Sequence, residues 1–251
     1  MLEVDAVAES WLRAAEERYL ADLTFSELTR ALRAVSSCYV ERRPRLASGA
    51  ALGTAGKRAA FALYYGPLHY VTMTALAGAL GGPAQDRRLV VDLGCGTGAS
   101  GAAWARAGGD AVAGYDLNAW AVAEARWTYG ALGVRGTATR AAVERVRWPA
   151  RPALILAAYV LNELPAPARE HTLTRLLEAA DHGHQILVVE PIARRAAPWW
   201  PSWEKAIGER GGRADEWRFA LARPDVIARL DRATGLDHRE LTARTLSLGL
   251  A

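Results

Sequence analysis

A chain of 251 residues, 51% apolar and 23% charged, has the length for one α/β domain with an appendage and the composition of an ordinary globular protein. Its two cysteines, Cys38 and Cys95, are too few and too far apart for a disulfide framework, a cysteine-held metal or an iron–sulfur cluster. The formal net charge of +4 invites nucleic acid as a partner, but Lys57 and Lys205 are the only lysines among 31 basic residues, and the arginines are spread without a block of five or six.

Residues 1–86 read as a helical N-terminal cap or lid. The opening Met1-Leu-Glu-Val-Asp5 is acidic and lacks a basic-then-apolar leader, so the expected location is cytoplasmic. Val4, Val7, Ala8, Trp11, Ala15 and Tyr19 recur at helical spacing. Thr24, with Glu27 three residues on, has the form of a capping box, and Leu28, Ala31, Leu32, Val35 and Tyr39 line one face of the helix it would start. Residues 42–56 show no clear period and are expected to be a loop or lid hinge. From Ala59 to Gln85 there is no Asp, Glu, Lys or Arg, a run long enough to raise the question of a membrane span. Gly66-Pro67 breaks that run and His69, Thr72 and Thr74 dilute it, so Leu68, Val71, Ala75, Leu76 and Ala79 are expected on a buried helix instead. Tyr64, Tyr65, His69 and Tyr70 then fall near the mouth of the site that follows, with Tyr65 and His69 the cap's candidates for substrate contact.

Leu89-Val-Val-Asp-Leu-Gly-Cys-Gly-Thr-Gly98 is the stretch around which the rest is organised. An apolar run ending at Asp92 reads as a strand buried on both faces, and a helix begins after the glycines. A strand, a glycine-rich turn and a helix start form a nucleotide cradle, because glycine admits positive φ and close backbone approach while the helix start presents free N–H groups. Gly96-x-Gly98-x-x-Gly101, with Asp116 twenty residues after Gly96, also fits a dinucleotide fingerprint, and a tight turn without any ligand is the bland alternative.

The second strand is Ala111–Asp116. A carboxylate at its end can accept hydrogen bonds from vicinal ribose hydroxyls, with Leu117 and Asn118 flanking the nucleoside; alternatively Asp116 or Asn118 caps the helix from Ala119 to Tyr129. Val134–Thr139 is a third strand, followed by no acidic residue, so backbone groups or Arg140 would have to serve the base. Ala153–Ala158 is a fourth strand. Its exit, Tyr159-Val-Leu-Asn-Glu-Leu-Pro165, lies where an open parallel sheet reverses strand order and gathers its ligands. Tyr159, Asn162 and Glu163 are therefore the candidate catalytic residues, against the plain reading in which Asn162 caps a turn and Glu163 is solvated. Ala168–Glu178 reads as an amphipathic helix and Gln185–Glu190 as a fifth strand. Three tryptophans within Ala197–Trp203 suggest either a flap packed on the sheet or a stacking platform. Asp225–Ala233 is a short helix stopped by Gly235, and Glu240–Leu248 a last strand; no clear seventh strand follows, so an altered terminal hairpin is expected.

The string Asp92-x-Gly94-x-Gly96-x-Gly98 resembles the first motif of class I S-adenosylmethionine-dependent methyltransferases. The resemblance implies an α/β, Rossmann-like fold with a doubly wound, mostly parallel sheet over residues 87–251. It implies S-adenosylmethionine as cofactor and S-adenosylhomocysteine as product, held by Asp92, Gly94, Cys95, Gly96, Gly98, Asp116, Leu117 and Asn118, without a metal. Tyr159-Val-Leu-Asn-Glu-Leu-Pro165 is similar to a segment of methyltransferase-like proteins of the mitochondrial small ribosomal subunit and their bacterial relatives, as are Trp104, Pro67-Leu-His-Tyr70 and Glu190-Pro191. Tyr65 stands where that family has arginine, Ile192-Ala193 where it has Gly-Thr, and the mitochondrial cysteine set is missing. The expected activity is methyl transfer to an N or O nucleophile of a small or unassigned acceptor. RNA methylation, or a non-catalytic role in assembling the small ribosomal subunit, is the alternative; no membrane and no iron–sulfur cluster are expected. Such a reaction needs alignment and exclusion of water more than strong acid–base groups.

Overall fold

The computed structural model describes residues 5–41, 52–81, 88–193 and 197–250, with side chains of 38–41 outside the description. Most of the stretch read as a lid hinge, residues 42–51, therefore lies outside it, as do the side chains of Cys38 and Tyr39. Seven strands form one sheet: β1 (Leu89–Leu93), β2 (Ala111–Asp116), β3 (Gly136–Arg140), β4 (Leu154–Ala158), β5 (Gln185–Glu190), β6 (Arg213–Ala220) and β7 (Glu240–Leu248). Their order is β3-β2-β1-β4-β5-β7-β6, parallel from β3 to β5, with β7 antiparallel to both β5 and β6. The order reverses between β1 and β4, where the carboxyl ends of both strands open a crevice. This is the expected doubly wound, mostly parallel architecture.

The central strands are buried because both faces are covered. Val90, Leu154, Leu156, Leu187 and Val189 face a core shared with the N-terminal helices, α5 (Ala99–Arg106), α6 (Ala119–Ala131) and α9 (Asp225–Thr234). Val91, Leu93, Ile155, Ile186 and Val188 face α7 (Ala166–Asp181) and α8 (Trp200–Gly208). Asp92 lies inside β1 and does not end it. Trp199, Trp200 and Trp203 are buried in that second core, with Trp199 and Trp203 ring centroids 4.9 Å apart, so the tryptophan segment is a packed flap.

The N-terminal segment read as a cap comprises α1 (Ala6–Leu20), α2 (Phe25–Glu41), α3 (Ala55–Ala60), a π-helical turn Phe61–Tyr65, and α4 (Gly66–Ala79), and its buried residues share one core with the sheet. The capping box forms: the Thr24 N–H donates to Glu27 Oε2 (2.8 Å) and the Glu27 N–H to Thr24 Oγ1 (3.3 Å). Ala8, Trp11, Leu12 and Ala15 of α1 join the core, whereas Val7 faces outward. Arg18 of α1 pairs with the buried Glu124 of α6 and lies over the Trp127 ring, which fastens the cap to the sheet layer. The uncharged run after Ala59 is explained by α4, which is buried on most sides between cap and sheet. Among the described residues no helix is long and apolar enough to cross a membrane.

The seventh strand is β6, which the sequence reading missed. Among the described residues it pairs only with β7 and forms the sheet edge, where charge is tolerated and discourages edge-to-edge association. Its apolar signal reduces to Trp217 and Phe219, stacked at 6.0 Å, with the Trp217 indole N–H donating to Thr245 Oγ1 (2.9 Å).

Candidate active site

The glycine turn joins β1 to α5 with Gly94, Gly96 and Gly98 all at positive φ (64°, 52° and 79°). At Gly94 a Cβ would stand 2.2 Å from Val160 Cγ2, so packing alone forbids a side chain there. Gly96 differs, since a Cβ would meet nothing closer than the Phe61 ring at 3.6 Å. Gly96 thus turns its open side toward the cap, and Phe61 of the π turn sits over it.

Two carboxylates organise this turn. The Gly96 N–H donates to Asp116 Oδ2 (3.0 Å), which gives the twenty-residue spacing a direct meaning across the ends of β1 and β2. The other oxygen of Asp116 accepts from the Asn118 N–H (2.7 Å). Burial raises the Asp116 pKa against the pull of these N–H bonds. Asp92, only 1% exposed, accepts from the Gly101 N–H (3.0 Å); burial pushes its pKa up to about 7. Cys95 is buried against Gly114, its thiol pushed up by desolvation, so only its backbone borders the turn. The Asn118 side chain caps α6, accepting from the N–H groups of Trp120 (2.9 Å) and Ala121 (3.3 Å), as the capping alternative had it. Leu117 is 63% exposed, unusual for a large apolar side chain, and Arg140 Nε donates to its carbonyl (2.9 Å). Arg140 thereby supports the loop beside the site.

At the exit of β4, Tyr159 has φ +60°, a left-handed conformation costing an aromatic residue about 1–2 kcal/mol. Its ring stacks on His69 of α4, with centroids 4.2 Å apart and planes inclined by 17°. Phe61 and Tyr65 approach the same imidazole at 6.2 and 6.3 Å. Burial lowers the His69 pKa to about 4, so the ring is neutral at physiological pH. Of the four N-terminal aromatics expected near the mouth, Tyr65 and His69 pack beside Tyr159 at the exit of β4. Tyr70 instead packs on Trp11, and Tyr64 buries its hydroxyl on Asp231 of α9.

A single 3-10 turn, Leu161–Glu163, follows Tyr159. Asn162 uses both ends of its amide: Nδ2 donates to Glu190 Oε2 (2.6 Å) and Oδ1 accepts from the Trp199 indole N–H (2.9 Å). Glu163 is half-buried, and desolvation, reinforced by Asp116, brings its pKa up to about 7. Glu190, at the end of β5 and 1% exposed, was read as a strand end and, with Pro191, as part of the family resemblance, without a role in the site. Burial lifts its pKa to about 8, opposed by the Asn162 N–H and Arg244 and reinforced by Glu163. Its signal in the sequence was the same as that of Asp116: a carboxylate closing a buried apolar strand. Asp92, Asp116, Glu163 and Glu190 thus gather partly or fully desolvated carboxyls at one end of the sheet.

Residues 90–183 match the family model described as a methyltransferase domain. No curated protein matches the chain. Among solved structures, magnesium protoporphyrin IX methyltransferase (ChlM) from Synechocystis PCC 6803, with bound S-adenosylmethionine, is 16% identical, with 90% of this chain and 98% of that one covered at a TM-score of 0.49. A TehB-like SAM-dependent methyltransferase from Corynebacterium glutamicum is 18% identical, covering 69% and 85% at 0.44. The glycopeptide N-methyltransferase MtfA is 14% identical, covering 72% and 90% at 0.45. Sheet order and glycine turn are those of a Rossmann-like class I methyltransferase fold, and the stretch that matches a methyltransferase domain runs from β1 through β4 and α7 and holds both the glycine turn and the exit of β4. The resemblance to ribosomal small-subunit proteins rests on the sequence motifs alone.

Proposed function

We propose that this methyltransferase acts on an N or O nucleophile of a small acceptor held between the cap and the crevice at β1 and β4. The observation that carries this reading is the His69–Tyr159 stack, flanked by Phe61 and Tyr65. It makes a narrow, uncharged aromatic wall, where an RNA acceptor calls for exposed basic groups that contact phosphates.

The residues present suit the cofactor. Gly96 leaves room under Phe61, and the gathered carboxyls favour a ligand that bears an ammonium and a sulfonium. Gly94, Cys95, Gly96 and Gly98 would hold it through backbone, Asp116 through hydrogen bonds to the ribose, and Leu117 by apolar contact, with Asp92 and Asn118 fixing the turn and the helix start around it. When bound, the cofactor supplies an electrophilic methyl on positively charged sulfur. Tyr159 and His69 orient the acceptor and exclude water, Tyr65 borders it, Glu163 accepts its proton, and Asn162 holds Glu190 and Trp199 in place.

Radiolabel transfer from methyl-labelled S-adenosylmethionine into a low-molecular-weight cell fraction, and separately into total RNA, tests the reading. Label is expected in the small-molecule fraction. Label confined to RNA, together with submicromolar RNA binding at 150 mM salt that falls about a thousandfold between 50 and 200 mM as six phosphate contacts would require, overturns it.

A further inference from the structure

We infer that the π turn Phe61–Tyr65 is part of the cofactor site, with Phe61 as its apolar contact over the glycine turn and Tyr64 as the residue that positions Phe61 from the far side; this rests on the placement of the cofactor at that turn given above. The Gly66 N–H donates to the Phe61 carbonyl, which closes the wide i to i+5 turn that sets this segment apart from the α-helices on either side. Both ends of the turn lie on the glycine loop. Among the described residues the Phe61 ring is the only group within 4 Å of a Cβ built on Gly96, at 3.6 Å, and a Cβ on Gly66 would stand 3.1 Å from Thr97 Oγ1. Phe61 and Tyr65 are neighbours on that side, with ring centroids 5.6 Å apart. A ligand lying against the Gly96 backbone therefore meets Phe61.

Tyr64 points the other way. Its ring stands edge-on between Tyr65 (5.4 Å) and His238 (5.3 Å), and its hydroxyl donates to Asp231 Oδ1 of α9 and lies 2.7 Å from His238 Nδ1. Asp231 is 1% exposed, and its second oxygen accepts from Arg223 Nη1 (2.9 Å) and from the His238 N–H (3.1 Å). With its one proton directed to the carboxylate, the Tyr64 oxygen accepts from His238, which places a proton on Nδ1. Apolar side chains would hold these segments together without the cost of desolvating a carboxylate and a hydroxyl; what directed bonds add is one fixed geometry. Here they fix the rotation of the π turn, and with it where Phe61 falls. Other bonds keep α9 docked without the Tyr64 hydroxyl: Arg33 of α2 donates to the Ala233 carbonyl (2.6 Å) and Arg229 of α9 to Glu16 of α1 (2.7 Å).

Calorimetry of S-adenosylhomocysteine binding to the full chain, run below the unfolding midpoint of each variant, tests this. Phe61→Ala should weaken binding about tenfold and Phe61→Leu should recover most of the loss; Tyr64→Phe, which keeps the ring, should weaken it about fivefold. The two effects should not add: in the Phe61→Ala background Tyr64→Phe should change affinity by less than about twofold, because Tyr64 acts through Phe61. A merely structural bond would lower the unfolding midpoint and leave the affinity of the folded protein unmoved. Should Tyr64→Phe fail to fold, His238→Ala removes the partly exposed partner of the hydroxyl and should show the same pattern at about threefold. Affinity retained in Phe61→Ala or Tyr64→Phe, or losses that multiply in the double variant, overturn the inference. Gly96→Val separates it from the reading beneath. Binding lost in Gly96→Val but kept in Phe61→Ala removes only the π turn from the site, whereas full binding by Gly96→Val removes the placement of the cofactor as well.

Discussion

The free protein should lose stability as pH rises from 6 to 8, a direction set by its buried carboxyls. Asp92 and Glu163 titrate near 7 and Glu190 near 8 in the folded chain, against ordinary values near 4 when unfolded. A carboxyl raised in this way contributes stability that is full below its unfolded pKa and is lost as pH climbs through its folded one. Across this window the loss is roughly 1 kcal/mol each for Asp92 and Glu163 and roughly 2 for Glu190. His69, lowered to about 4, binds protons mainly when unfolded and returns about 1 kcal/mol over the same range. The net fall is therefore roughly 3 kcal/mol, a ceiling because these carboxyls titrate as a coupled group. Asp237, held near 2 chiefly by hydrogen bonds from Arg239, is ionised in both states at these pH values and contributes nothing to the slope. Urea unfolding at pH 6, 7 and 8 at fixed ionic strength, followed by the fluorescence of buried Trp199, Trp200 and Trp203, measures it. Glu190→Gln should flatten the dependence by roughly 2 kcal/mol. A midpoint constant or rising from pH 6 to 8 would refute the desolvation argument.

The same carboxyls should make binding of S-adenosylmethionine strengthen severalfold from pH 6 to 8, and more than that of S-adenosylhomocysteine, which lacks the sulfonium; parallel pH dependences in calorimetry would count against cation recognition here. Asp116→Ala removes an acceptor for the N–H groups of Gly96 and Asn118 and should weaken S-adenosylhomocysteine binding about ten- to a hundredfold, equivalent to roughly 1.5–3 kcal/mol. Retained affinity would remove Asp116 from the cofactor site. Asn162→Ala strands the Glu190 carboxyl and the Trp199 indole and should destabilise the fold by about 1–3 kcal/mol while leaving cofactor affinity within about threefold; thermal and chemical unfolding that match the parent would mean that the bridge holds nothing.

Legibility in the sequence followed local physics. Strands β1, β4 and β5 were readable because burial on both faces demands an unbroken apolar run. The Gly96–Asp116 spacing was readable because a short helix between adjacent parallel strands fixes it. β6 was not, because its pairing with β7 spans α9 and its charged residues suit a sheet edge. Phe61 was equally hidden: its place over Gly96 depends on the π turn, and nothing in Phe61-Ala-Leu-Tyr-Tyr65 distinguishes that turn from the helices on either side. Glu190 was visible as a strand end, but its meaning required the sheet order that sets β5 beside both β4 and β7.

The exit of β4 shows why adjacent residues of one motif take different parts. A 3-10 turn advances about 120° per residue, so three successive side chains point in three directions. Leu161 goes into the core against α7 and α8, and Asn162 toward Glu190 and Trp199. Glu163 is left on the side of Asp116. The left-handed Tyr159 stands two residues before the turn, ahead of its N-cap Val160, and its stack on His69 supplies contact energy to offset the backbone strain. One residue of the three is thereby committed to the core, one to holding the neighbouring strand and flap, and one to the crevice. That geometry makes Asn162 the residue that holds its neighbours, and an Asn162 variant should reach Glu163 only through Glu190.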